Sequence, residues 1–145
     1  MKQRIKRLDK NKQSRSLTKI IIIKVVPVIA FLVAGFLLVP YGSMYFQNNK
    51  VANVNTKAEV ILFYNANCSH CQKVYPKIFW HNVLNFKNES KQIQTINVQN
   101  TNNKHYVADF AIQATPTFMK TKNINQRLVS TNSQQIKQFI QTGGH

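Results

Sequence analysis

Val60-Ile61-Leu62-Phe63-Tyr64-Asn65-Ala66-Asn67-Cys68-Ser69-His70-Cys71 carries most of the information in this chain. Five consecutive apolar residues predict a central strand covered on both faces. The only two cysteines of the 145 residues stand with two residues between them, where that run gives way to helical periodicity. A C-x-x-C at a strand-to-helix turn puts the first sulfur near a helix N-terminus. Unpaired N–H groups and the positive end of the helix dipole stabilise a thiolate there. A thiolate is the attacking species in thiol–disulfide exchange, and a second thiol one turn on resolves the mixed disulfide. The stretch points to redox chemistry at Cys68 and Cys71.

Working outward, Ala58–Tyr64 reads as the strand and 69–86 as a helix, with Val74, Tyr75, Ile78, Phe79 and Val83 at three- and four-residue spacings. Pro76 lies inside that helix and predicts a kink. Gln92–Val98 reads as a second strand, and Asn102–Ala111 as a helix with Tyr106, Val107, Phe110 and Ala111 on one face. Thr117–Lys120 and Gln126–Ser130 read as a hairpin. A last helix starts at a capping-box pattern, Thr131-x-x-Gln134, and buries Ile136, Phe139 and Ile140. The order β-α-β-α-β-β-α predicts an α/β domain over 58–145 built on one mixed four-stranded sheet.

The N-terminal third is different. Residues 1–24 hold nine Lys/Arg against one acid, Asp9, and the apolar run continues to Phe46. Twenty-two residues rise about 33 Å as a helix, enough to cross a bilayer. The expected organisation is a basic cytoplasmic tail over 1–19, a single transmembrane signal anchor over 20–46 and an Asn/Lys-rich linker over 47–57. The basic residues precede the span, so the positive-inside rule puts the N-terminus in the cytoplasm and the α/β domain outside, where disulfides persist. Basic, apolar and polar regions also occur in the order of a cleaved signal peptide. No small-x-small site stands near residues 38–46, which favours an uncleaved anchor.

A net charge of +16 is not a nucleic-acid signature here. Nine of the 20 basic residues lie in residues 1–24, eight in the tail and Lys24 near the start of the span, where they set topology and meet anionic lipid. The rest are scattered, without the clustering expected of a nucleic-acid groove. A zinc site at Cys68 and Cys71 would need two further ligands, and His70, His81, His105 and His145 form no paired motif, so no metal is expected. A purely structural disulfide would close too small a loop to stabilise much.

Taken together, the C-x-x-C after the first strand, Pro76 five residues beyond Cys71, and Ala114-Thr115-Pro116-Thr117-Phe118 ahead of the hairpin resemble the thioredoxin superfamily. The resemblance spans about residues 58–141 and implies a thioredoxin-like fold. It implies Cys68 as exposed nucleophile and Cys71 as buried resolving thiol. Pro116, after a cis Thr115–Pro116 bond, would lie against the sulfurs and present backbone to substrate. Ser69, His70, Thr115 and Pro116 are then the redox-tuning or substrate-contacting residues. His70 before the second cysteine is similar to the C-P-H-C motif of DsbA-type oxidants, where an imidazole stabilises the thiolate and makes the protein more oxidising.

The sequence departs from the family at three points. Asn67 stands where most thioredoxins have Trp, and Leu62 stands where they bury an Asp that helps deprotonate the resolving thiol. The additional N-terminal strand and helix are also missing. These departures argue against a general reductase. The expectation is an enzyme of the cell envelope, a membrane-anchored extracytoplasmic thiol–disulfide oxidoreductase acting on cysteine-containing exported proteins. It would use no cofactor beyond its own Cys68–Cys71 disulfide, and it would need a redox-recycling partner. The alternative is a thioredoxin-like accessory or binding subunit of an export, conjugation or bacteriocin system. The Asn/Lys/Ile-rich composition suits a low-GC Gram-positive bacterium.

Overall fold

The computed structural model describes residue 19, residues 21–47 and residues 52–142. The expected basic tail, apart from Lys19, and positions 48–51 of the expected linker lie outside them. The chain divides into two units, Met1–Val39 and Pro40–His145. One π turn, Ile21–Val25, runs into helix α1, Val26–Phe46, whose residues from Pro40 belong to the second unit. The helical stretch Ile22–Phe46 is long and apolar enough to cross a membrane. Its side chains up to Val39 stand exposed, Phe31 by 79%.

The second unit has the expected element order. Strand β1 is Val60–Tyr64, helix α2 Ser69–Leu84, β2 Ile93–Asn97, α3 His105–Asp109, β3 Thr117–Lys120, β4 Arg127–Val129 and α4 Ser133–Gln141. They form a four-stranded mixed sheet in the order β2-β1-β3-β4. β1 pairs parallel with β2, Val60 opposite Ile93 through Tyr64 opposite Asn97. That parallel pairing needs a crossover, which α2 supplies. β1 runs antiparallel to β3, and β3 to β4.

All five residues of β1 are buried, because alternate side chains enter two cores. Val60, Leu62 and Tyr64 join Phe118, Val74, Tyr75, Ile78 and Ile136 on one face. Ile61 and Phe63 join Ile96, Tyr106, Ile112 and Met119 on the other. Lys120 is buried at the end of β3, its ammonium 5.2 Å from the Phe139 ring centroid. Burial draws its pKa down, and the ring face partly compensates the lost water.

Three expectations need correction. The helix expected over 102–111 is a 3-10 turn, Thr101–Asn103, followed by the five residues of α3. Ala111 ends it at φ 45°, with Ile112 N–H donating to Val107 O at 2.8 Å and Ala111 N–H to Ala108 O at 3.1 Å. That is a Schellman closure with alanine at the left-handed position usually held by glycine. The turn buries Ile112 and leaves Val107 and Ala111 exposed. The last helix is capped one residue later than expected: Asn132, not Thr131, accepts from Gln134 N–H and Gln135 N–H. Ile136 is buried there, with Phe139 and Ile140 half-buried.

The third correction concerns the linker. Ala52 and Val54 pack on the second core, and Ala52 N–H donates to Asn103 Oδ1 at 3.0 Å. Asn55 N–H donates to Gln94 Oε1 at 2.7 Å. The Gln47 amide oxygen accepts from the hydroxyls of Tyr64, at 3.2 Å, and Thr95, at 2.9 Å. Packing thus begins well before residue 58. Met44, in the last turns of α1, is fully buried in the first core, and its carbonyl accepts from Tyr64 Oη at 3.1 Å. Met44→Ala is therefore expected to cost about 2–5 kcal/mol. Thermal unfolding of the detergent-solubilised chain would read this, and an unchanged midpoint would remove the helix end from the core.

Candidate active site

At the end of β1 the chain turns sharply through Asn65. Asn67 N–H donates to Asn65 Oδ1 at 2.8 Å, and Cys68 N–H donates to Asn65 O at 3.0 Å. The side-chain oxygen of an asparagine mimics a backbone turn in this way, delivering the chain to α2. Cys68 is the N-cap, with extended φ and ψ of −85° and 121°. Its sulfur therefore faces the unpaired N–H groups of the first helical turn.

The two sulfurs occupy opposite environments. Cys68 is partly exposed, and its thiol donates to Thr115 O at 3.5 Å. Burial raises its pKa somewhat. The polar groups around it, the Cys71 N–H first and then the Thr115 side chain, the Cys71 thiol and the His70 N–H, outweigh that and hold it below the ordinary thiol value. Cys71, one turn further and 1% exposed, is pushed up to about 11, chiefly by burial. Asn65 N–H points at its sulfur from 3.5 Å. The arrangement gives one ready nucleophile and one thiol held protonated.

The Thr115–Pro116 bond is cis, with Pro116 buried and Thr115 half-buried beside Cys68. Thr117 Oγ1 donates to Ala114 O at 2.6 Å and braces this loop from its far side. Ser69 and His70 are exposed, and the His70 backbone N–H is the smallest of the influences that lower the Cys68 pKa. Leu62 is buried in the same core as Cys71, so the floor beneath that thiol is apolar. Asn65 and Gln72 escaped the sequence reading. Gln72 Nε2 donates to Ala66 O at 3.0 Å and ties the turn to α2. An asparagine just after an apolar strand is the signal that marks such a turn.

A family model for thioredoxin matches residues 42–142. The chain belongs to the thioredoxin family. Searches of curated proteins and of solved structures return no match to it. The family match begins inside α1, close to Met44, where the packing of the thioredoxin domain also begins. The cysteine pair and the cis-proline loop of this thioredoxin domain converge from the start of α2 and the entry to β3.

Proposed function

We propose that the protein is a membrane-anchored thiol–disulfide oxidoreductase whose thioredoxin domain works outside the cytoplasmic membrane on exported proteins. The observation that carries this reading is the asymmetry of the two thiols, a partly exposed Cys68 with a lowered pKa over a buried Cys71 with a raised one. The Cys68 thiolate attacks one sulfur of a substrate disulfide. The S–S bond breaks, one substrate thiolate leaves, and a mixed disulfide forms. Cys71 then loses its proton to water or to the departing thiolate and attacks the Cys68 sulfur. The second substrate thiol is released, and a Cys68–Cys71 disulfide remains. The same steps in reverse oxidise a substrate dithiol, after which a recycling partner restores the pair. No other cofactor takes part.

In this reading the Thr115 carbonyl and Pro116 present backbone to the substrate, and Ser69 and the His70 imidazole touch it or tune the thiolate. The nine basic residues of positions 1–24 support an N-in, C-out orientation. A membrane-impermeant maleimide applied to intact, mildly reduced cells is expected to label Cys68. Labelling that appears only after lysis would put the domain on the cytoplasmic side.

A further inference from the structure

We propose that the domain makes a second membrane contact, in which the exposed ridge of Val83, Leu84 and Phe86, with Lys87, lies on an anionic phospholipid surface. The ridge closes the C-terminal end of α2. Leu84 is 82% exposed and Phe86 69%, a concentration of apolar surface that water disfavours. The proposal rests on the anchor reading and is independent of the redox chemistry.

Two observations select lipid as the occupant. The first is continuity with the end of the span. A groove of about 290 Å³ is lined by Phe79, Val83 and Phe86 of the ridge together with Ser43 and Gln47 at the end of α1. Tyr41, Tyr45 and Phe46, all exposed, stand on the same last turns. Aromatic residues at the end of a spanning helix belong at the headgroup level, so the ridge, which shares a groove with Ser43 and Gln47 of those turns, meets the same layer. The second is charge. Residues 69–87 contain Lys73, Lys77 and Lys87 and no acid. The Lys87 ammonium stands 5.5 Å from the Phe86 ring centroid. An apolar ridge with a cation at its edge, here Lys87, is the composition that binds an anionic interface, rings toward the acyl boundary and ammonium toward phosphate.

The test uses the full chain reconstituted in vesicles of phosphatidylcholine and phosphatidylglycerol, with or without brominated acyl chains. Tryptophan reporters are placed by Phe86→Trp and, separately, Leu84→Trp, each with Trp80→Phe to remove the native indole. Val129→Trp, on the exposed strand β4, is the control. Both ridge reporters are expected to lose about half or more of their emission in brominated vesicles, while the control keeps its own. Adding Lys87→Glu is expected to reduce that loss. A chain that stays in the vesicles through an alkaline wash while both ridge reporters behave like the control overturns the proposal and leaves the anchor standing. A ridge covered by another protein would give that result. A chain washed off the vesicles overturns the anchor and the proposal together. Quenching indifferent to Lys87→Glu overturns the part assigned to anionic lipid.

Discussion

Mixed with a disulfide-bonded substrate, the Cys71→Ala chain is expected to accumulate as a mixed disulfide through Cys68. Attack needs only the thiolate that the start of α2 stabilises, whereas release needs the missing second sulfur. The adduct should then persist for the minutes to hours of uncatalysed disulfide rearrangement. In the wild-type chain the same adduct is expected to be resolved by Cys71, but slowly for a thioredoxin. Leu62 lines the apolar floor beneath that thiol where the family buries a carboxylate, so the proton must leave by another route. The Cys68→Ser chain should give no adduct, since a serine hydroxyl supplies no comparable nucleophile. Non-reducing gels with mass measurement of the joined peptides check both outcomes. Equal adduct formation by Cys68→Ser would reverse the roles of the two cysteines.

The second large effect is in the pH dependence of alkylation. In the reduced chain Cys68 is expected to react with iodoacetamide along a curve whose midpoint lies below that of an unperturbed thiol, about 8.5. Cys71 should stay silent until the pH approaches its raised value of about 11. At pH 7 the buried thiol is then only about one part in ten thousand ionised. An ordinary thiol at that pH is a few per cent ionised, so the two rates should differ by about two orders of magnitude or more. Stability follows the same titration. A thiol whose folded pKa is raised contributes stability below its unfolded pKa, and that contribution is lost as pH rises through the folded value. The reduced chain should therefore weaken between about pH 8.5 and 11, and the disulfide form, which lacks that thiol, should hold its stability to about pH 10, where the buried Tyr64, also raised, begins to weaken both forms.

The first strand and the active-site helix are legible in the sequence because their signals are dense and local. Five apolar residues in a row specify a strand buried on both faces, and the spacing of Val74, Tyr75 and Ile78 specifies the covered face of α2. The cysteine pair is legible because its chemistry depends on a spacing. The cis bond before Pro116 is another matter. Nothing local to Thr115 demands it, and only the resemblance of the Thr115-Pro116-Thr117-Phe118 segment suggested it.

What escaped the sequence has physical reasons. Met44 sits in an apolar run that lipid explains fully, so its place in a protein core leaves no separate mark. The stretch before residue 58 reads as polar linker because its anchoring is by amides: Gln47, Gln94 and Asn103 each pair with a segment distant in sequence. The early end of α3 depends on an alanine taking the left-handed conformation, which alanine rarely adopts. At the site, the Asn65 turn and the carbonyl of Thr115 act through backbone geometry, which residue identity reports only weakly.

Equilibration of the reduced full-length chain against graded ratios of reduced to oxidised glutathione tests the central claim most directly, that Cys68 and Cys71 form one redox couple. The account predicts a single two-electron transition to an intramolecular Cys68–Cys71 disulfide. Its potential should lie above the roughly −270 mV of thioredoxin, within about −220 to −120 mV, because the start of α2 stabilises the reduced form. The transition should disappear in Cys68→Ser. Two free thiols persisting across the whole range of ratios would contradict the account.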